Sequence, residues 1–238
     1  MKRTTVAVLF GGHSPEYEVS LQSACSVFKS LDTKKYETVL LGITREGEWF
    51  RYSGGLQQIE DDTWNRDSSC VPAILSPDRK IHGIITLERN KAIAKTIDVA
   101  FPVLHGKNGE DGTVQGLLEL AGIPCVGCGT LCSAICMDKD IAHRLVQSAG
   151  IKVPRSTVLY SPVDEIELAN ITEHLQPPLF VKPANAGSSF GISRVTQASE
   201  LLEAVKKAFS YDAKVIIEEG IPGFEVGCAV FGKQTLTI

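Results

Sequence analysis

The chain has 238 residues, 43% of them hydrophobic and 22% charged, with a formal net charge of −4, so it can hold one large or two small cored domains and lacks the basic excess of a nucleic-acid binder. No apolar run approaches the roughly 20 residues of a bilayer span, and the one behind the basic start (residues 6–10) is too short for a secretory signal, so a cytoplasmic protein is expected. Seven cysteines, an odd count, fit a reducing compartment better than a disulfide scaffold.

Residues 6–10 predict a buried strand running into the loop GGHSPE at 11–16. Apolar residues at helical spacing from Leu21 to Leu31 predict a helix over 18–31, and TVLLGIT at 38–44 predicts a second strand. Strand, glycine loop, helix, strand is the start of an open α/β unit, whose ligands bind at the carboxyl ends of its strands. Residues 51–97 are polar and irregular, with only weak strand candidates, and read as an elaboration or lid without chemistry. A core strand over 98–104 ends at His105 before the glycine-rich loop GKNGEDG, which places His105 better for function than the other four histidines. A helix over 113–121, a strand over 125–127 and a short helix near 131–136 complete this first α/β domain of about 135 residues.

Asp138 is expected to cap a further helix that buries Ile141, Leu145 and Val146 and stops at Ala149-Gly150. Lys139 falls in its first turn, against the preference of the helix dipole, which hints that it answers to a ligand; a solvated surface lysine is the plain alternative. Strands follow at 156–160, 179–183 and 192–195, then a helix over 198–209. A strand over 214–219 ends in two carboxylates, a turn spans 220–223, and strands are expected at 226–231 and 235–238.

The stretch LFVKPANAGSSFG at 179–191 concentrates the chemistry. A short strand delivers Lys182, Pro183 is expected to stop the ladder, and a loop of small residues closes at Gly191. Small residues let backbone N–H groups approach an anion, Ser188 and Ser189 add hydroxyl donors, and a lysine supplies the point charge a polyphosphate needs. A phosphate-cradling loop is one reading and an ordinary polar turn the other. Four cysteines at 125, 128, 132 and 136 are close in sequence, but no second CxxC or histidine pair completes a ligand set. Cys132 and Cys136 are expected to be buried as small hydrophobes among Leu131, Ala134 and Ile135. Residues 227–233 imitate G-x4-G-K, with Gln234 where a magnesium-binding hydroxyl belongs. Residues 187–191 imitate G-x-S-x-G, but a strand is expected after them where a nucleophile elbow needs a helix.

Taken in order, LFGGHSPEYEVSLQSA at 9–24, FPVLHGKNGEDGTVQG at 101–116, CMDKD at 136–140, FVKPANAGSSFGI at 180–192 and IIEEGIPGFEV at 216–226 resemble the ATP-grasp family and, within it, the D-alanine–D-alanine ligases. The phrases SAICMDK and GSSFG look most like the vancomycin-resistance branch, whose members join D-alanine to D-serine or D-lactate. The resemblance implies an α/β fold with an open parallel-sheet N-terminal domain over residues 1–137. An α+β ATP-grasp lobe over 138–219 and the start of a second lobe over 220–238 would follow. It implies that Lys139 and Lys182 hold ATP phosphates beneath a loop containing Ser188 and Ser189. Glu218, the backbone from Glu219 to Ile221, and Glu225 would frame adenine and ribose. Glu16 would meet the ammonium of D-alanine and hydrogen-bond toward Ser188, and His105 would lie near that substrate's carboxylate. It implies ATP and Mg2+, with the magnesium carboxylates, a transition-state arginine and the loop that selects the second substrate beyond residue 238. A homodimer is implied, with no nucleic-acid or membrane partner. Another ATP-grasp carboxylate–amine ligase and a non-catalytic nucleotide-binding module are the alternatives.

Overall fold

In the computed structural model, which describes residues 2–89, 91–232 and 234–236, the first strand, β1 (Thr4–Gly11), is buried from Thr5 onward. Its apolar run has no polar face because it is covered on both sides, the usual state of a parallel strand. β1 pairs in parallel with β2 (Tyr36–Ile43) and β7 (Val99–Pro102). Ala7 and Leu9 pack toward α3 (Thr113–Ala121), and Val6, Val8 and Phe10 toward α1 (Tyr17–Ser30). These elements follow the sequence expectation within a few residues. The strand expected at 125–127 reduces to a single parallel bridge between Ala100 and Cys125.

Residues 49–96 depart from the irregular reading. β3 (Trp49–Tyr52), β4 (Val71–Leu75), β5 (Gly83–Glu88) and β6 (Lys91–Thr96) extend the sheet antiparallel to the order β6-β5-β4-β3-β2-β1-β7. β6 is exposed along nearly its whole length, and its apolar run Ala92-Ile93-Ala94, flanked by Lys91 and Lys95, is too short to mark a strand by pattern. Between β3 and β4, α2 (Leu56–Glu60) and a 3-10 turn (Trp64–Arg66) bring Trp64 into the core beneath Phe10, at 0% exposure.

α4 (Thr130–Met137) leads into α5 (Lys139–Ser148), whose cap is Asp138: its side chain accepts from the N–H groups of Asp140 and Ile141. Two expectations fail here. Ile141, Leu145 and Val146 lie on an exposed face, at 37%, 47% and 36%, because the buried side of α5 is the charged one carrying Asp140. Cys132 and Cys136 are likewise exposed, since α4 turns only Ser133 fully inward.

A second, four-stranded antiparallel sheet has the order β10-β9-β11-β8, formed by β8 (Ser156–Leu159), β9 (Leu179–Pro183), β10 (Ser193–Val195) and β11 (Val215–Glu219). One face is covered by α6 (Glu165–His174), an element not read from the sequence, and by α7 (Leu201–Phe209), which a 3-10 turn with a Gln197/Glu200 capping box introduces. Pro183 does not stop the ladder: it pairs with Val215, and Ala184 N–H continues to Lys214 O at 2.8 Å. β12 (Ala229–Phe231) and β13 (Gln234–Leu236) form a small separate hairpin. Residues 237–238 of the last expected strand, and Lys233 of the G-x4-G-K imitation, lie outside the described residues.

Candidate active site

The face of the second sheet turned away from α6 and α7 carries the even-numbered side chains of β11 and those of β9 in register with them. Lys182 faces Ile216 across the ladder and reaches diagonally to Glu218, Nζ to Oε2 at 2.5 Å. Glu218 is 3% exposed. Its other oxygen, Oε1, is buried without a hydrogen-bond partner among the described residues, 3.7 Å from His143 Nδ1, which is likewise unpaired. A buried acceptor left open is costly, so it marks a place where an incoming N–H donor would be favoured.

Lys139, the first residue of α5, is tied to the loop after β9 twice. Its N–H donates to Ala184 O at 3.1 Å, and Nζ donates to Ala186 O at 2.6 Å and Ala184 O at 3.3 Å. The loop is held from below by Asp212, which accepts from Asn185 N and Nδ2. Ser188 and Ser189 sit in the left-handed region, φ +45° and +61°, where β-carbons crowd the backbone. Ser188 is held there by the hydrogen bond its hydroxyl donates to Glu16 Oε1.

Glu16 precedes α1 and is 4% exposed. It is enclosed by two glycines: a β-carbon on Gly106 would lie 2.0 Å from Glu16 Oε2, and one on Gly187 2.8 Å from the same atom. Only hydrogen leaves room for the carboxylate between the two loops. Ser14 Oγ accepts from Glu16 N–H and donates to His105 O, and His105 Nε2 is 3.0 Å from Ser23 Oγ. The structure therefore brings Glu16, Ser188 and His105 into one patch, and Lys139, Lys182 and Glu218 into another beside the same loop. Ser189 is exposed. The Glu219 carboxylate turns to Arg155, taking its Nε at 2.8 Å and its backbone N–H at 2.9 Å. Ile221 and Glu225 lie in an exposed segment and are not brought into either patch.

Lys214 was not anticipated. Its Nζ lies 3.0 Å from both oxygens of Asp138 and 2.6 Å from Asp140 Oδ2, under the Tyr160 ring. It thus anchors the turn that presents Lys139. The available signal was Asp138-x-Asp140, two carboxylates in one helix turn that need a cation. Arg144 supplies a second, Nε to Asp140 Oδ1 at 2.7 Å.

Burial, and then the Lys182 cation beside it, push the Lys139 ammonium below its usual range. An anion at this spot would reverse that shift, so binding favours the protonated lysine. Affinity for a polyphosphate at this spot is expected to weaken as pH rises from neutral toward the ordinary lysine value of about 10.4. Titration calorimetry over a pH series checks this, and Lys139→Arg, which stays charged, should flatten the dependence.

Comparison with known proteins agrees with this architecture. Residues 5–128 match the family model of the D-ala D-ala ligase N-terminus and residues 145–238 that of the D-ala D-ala ligase C-terminus, so the chain belongs to the D-alanine–D-alanine ligase family. Among its relatives, a D-alanine–D-alanine ligase of Thermoanaerobacter sp. is 47% identical over 98% of this chain and 65% of its own length. The vancomycin B-type resistance protein VanB of Enterococcus faecalis is 45% identical over 98% and 65%. The crystal structure of the VanG D-Ala:D-Ser ligase from Enterococcus faecalis superposes with a TM-score of 0.89 at 50% identity, covering 99% of this chain and 68% of the other. The chain thus spans about two thirds of the length of these relatives. No helix among the described residues is long and apolar enough to cross a membrane.

Proposed function

We propose that this chain forms the nucleotide-binding and first-substrate portion of an ATP-dependent D-alanine–D-amino acid ligase of peptidoglycan precursor synthesis. It would be linked to vancomycin resistance and take D-serine or D-alanine as the second substrate. The observation that carries the reading is the loop at 184–191, held at one end by Lys139 and beside Lys182, and at the other closed onto the buried Glu16 through Ser188. The kinship to ligases named for D-alanine supports it. The division into residues 1–137, 138–219 and 220–238, a cytoplasmic location and a homodimer belong to the same proposal and rest on the family resemblance.

The residues fit the nucleotide. Lys139 and Lys182 offer two cations to phosphates, and the open Glu218 Oε1 offers an acceptor to an amino group of the base. When bound, ATP activates the D-alanine carboxylate as an acyl phosphate, which the amine of the second substrate attacks. Glu16, desolvated between Gly106 and Gly187, is positioned to pair with the D-alanine ammonium while Ser188 keeps the loop shut over it. That closure excludes water from the phosphoryl group. His105 flanks the same patch. Among the described residues no group of three acidic, histidine or cysteine side chains is arranged to hold a metal ion; Mg2+ belongs to the same proposal on the family resemblance.

The test is phosphate release from ATP and D-alanine, with D-serine or D-alanine as acceptor, by this chain joined to the remaining third of the VanG ligase. Release is expected, and Glu16→Gln should raise the KM for D-alanine on the order of 100-fold, the scale of losing one charge-assisted contact to a buried site. Nucleotide binding without release by any D-amino acid would overturn the ligase in favour of a binding module. Release that Glu16→Gln leaves unchanged would point to a different carboxylate substrate.

A further inference from the structure

On the cavity that His105 also lines, α4 presents two thiols side by side. Cys132 and Cys136 are both exposed, one helical turn apart, with their sulfurs 3.9 Å from each other. Cys128, in the loop ahead of the helix, also reaches Cys132. Cys25 is buried, and Cys70 lies half-buried with its thiol donating to Trp64 O.

The spacing decides what such a pair can do. Residues four apart on a helix hold their β-carbons about 5–6 Å apart, whereas a disulfide requires about 3.5–4.5 Å. Direct oxidation would therefore pull α4 out of helical geometry. A single larger atom bonded to both sulfurs has no such conflict, because it spans the gap that a sulfur–sulfur bond must close. We propose that Cys132 and Cys136 form a dithiol capture site for thiophilic trivalent arsenicals, the class of reagent that makes two bonds to sulfur from one atom.

The chemistry balances without an oxidant. With an arsenoxide, each sulfur forms one arsenic–sulfur bond, the arsenic–oxygen double bond breaks, and the oxygen leaves with the two thiol protons as water. Burial and the contact with Cys132 push the Cys136 thiol up, so it holds its proton at neutral pH. That favours this condensation over alkylation, which proceeds through the thiolate. The second bond is intramolecular, so retention should exceed that of a one-thiol adduct by on the order of 100-fold or more. The site would also matter to the rest of the molecule. α4 runs into the Asp138 cap and Lys139, so a bridged α4 sits one turn from the lysine that grips the loop.

The experiment treats the chain with phenylarsine oxide and follows intact mass. One adduct is expected, resistant to excess glutathione, a monothiol, and removed by dithiothreitol. Cys132→Ser and Cys136→Ser, both exposed and checked for folding by circular dichroism, should each release the adduct into glutathione, while Cys128→Ser should retain it. Retention in either of the first two variants, loss in Cys128→Ser, or no glutathione-resistant adduct on the unmodified chain would overturn the assignment.

Discussion

Replacing Lys214 by Ala is expected to lower stability by about 3 kcal/mol, near the bottom of the range for removing one partner of a buried ion pair. Lys214 is the cation shared by Asp138 and Asp140, and the Asp140 side chain is only 6% exposed. The loss stays near the low end because Arg144 still holds one Asp140 oxygen. Urea unfolding at neutral pH measures the change, and Lys214→Arg should recover most of it. The acid limb gives an independent readout. Burial alone would raise Asp140, but hydrogen bonds from Lys214 and Arg144 hold it below its ordinary value. A depressed carboxylate adds stability above its unfolded pKa, and this is lost as pH falls through the folded one. Without Lys214 only Arg144 opposes the burial of Asp140, so the acid transition should move to higher pH. A variant with unchanged stability and acid midpoint would mean that water, rather than Lys214, compensates the two aspartates. In the ligase reading, the same variant should also weaken nucleotide binding, because the turn that presents Lys139 loses its anchor.

The second large effect lies in the core of the seven-stranded sheet. Trp64→Ala should cost about 4 kcal/mol, the scale of removing a fully buried large aromatic, and lower the melting temperature by roughly 8–16 °C. Trp64 is 0% exposed and meets Phe10 edge-on at 4.9 Å, with Tyr52 and Phe50 at 6.0 and 6.4 Å. Its Nε1–H donates to Tyr17 Oη at 2.9 Å. Gly42 leaves room for the indole, since a β-carbon there would come within 2.4 Å of the ring. Trp64→Phe keeps most of the packing and removes the hydrogen bond, so its cost should be nearer 1–2 kcal/mol. Calorimetry of both variants tests the ranking. Equal losses would place the whole effect in the polar contact.

Both residues show where sequence reasoning runs out. Trp64 sits in a polar stretch bounded by Asp61, Asp62 and Asp67, and no local pattern says that it returns to the sheet. Lys214 opens a strand and reads as a solvated end. Its value comes from Asp138 and Asp140, more than seventy residues earlier. The exposed apolar face of α5 has the same origin, for helical periodicity marks an apolar stripe but not what covers it.

The local elements and the chemistry carried on them were legible in the order of the amino acids. Continuous apolar runs marked the buried strands β1, β9 and β11, glycine and proline marked the turns, and Asp138 marked a helix start, because each is a preference written within a few residues. The ordered motifs around Glu16, His105, Lys139 and Lys182 likewise pointed to the family. The antiparallel extension through β6, the outward cysteines and the Lys214 anchor became legible only in the folded chain. The hydrogen bond from Ser188 to Glu16, 172 residues away, was implied by the family resemblance, and the structure supplies its geometry. These depend on which surfaces meet once the chain is closed, and the free energy of that meeting resides in burial and pairing between segments whose separate sequences carry no trace of one another.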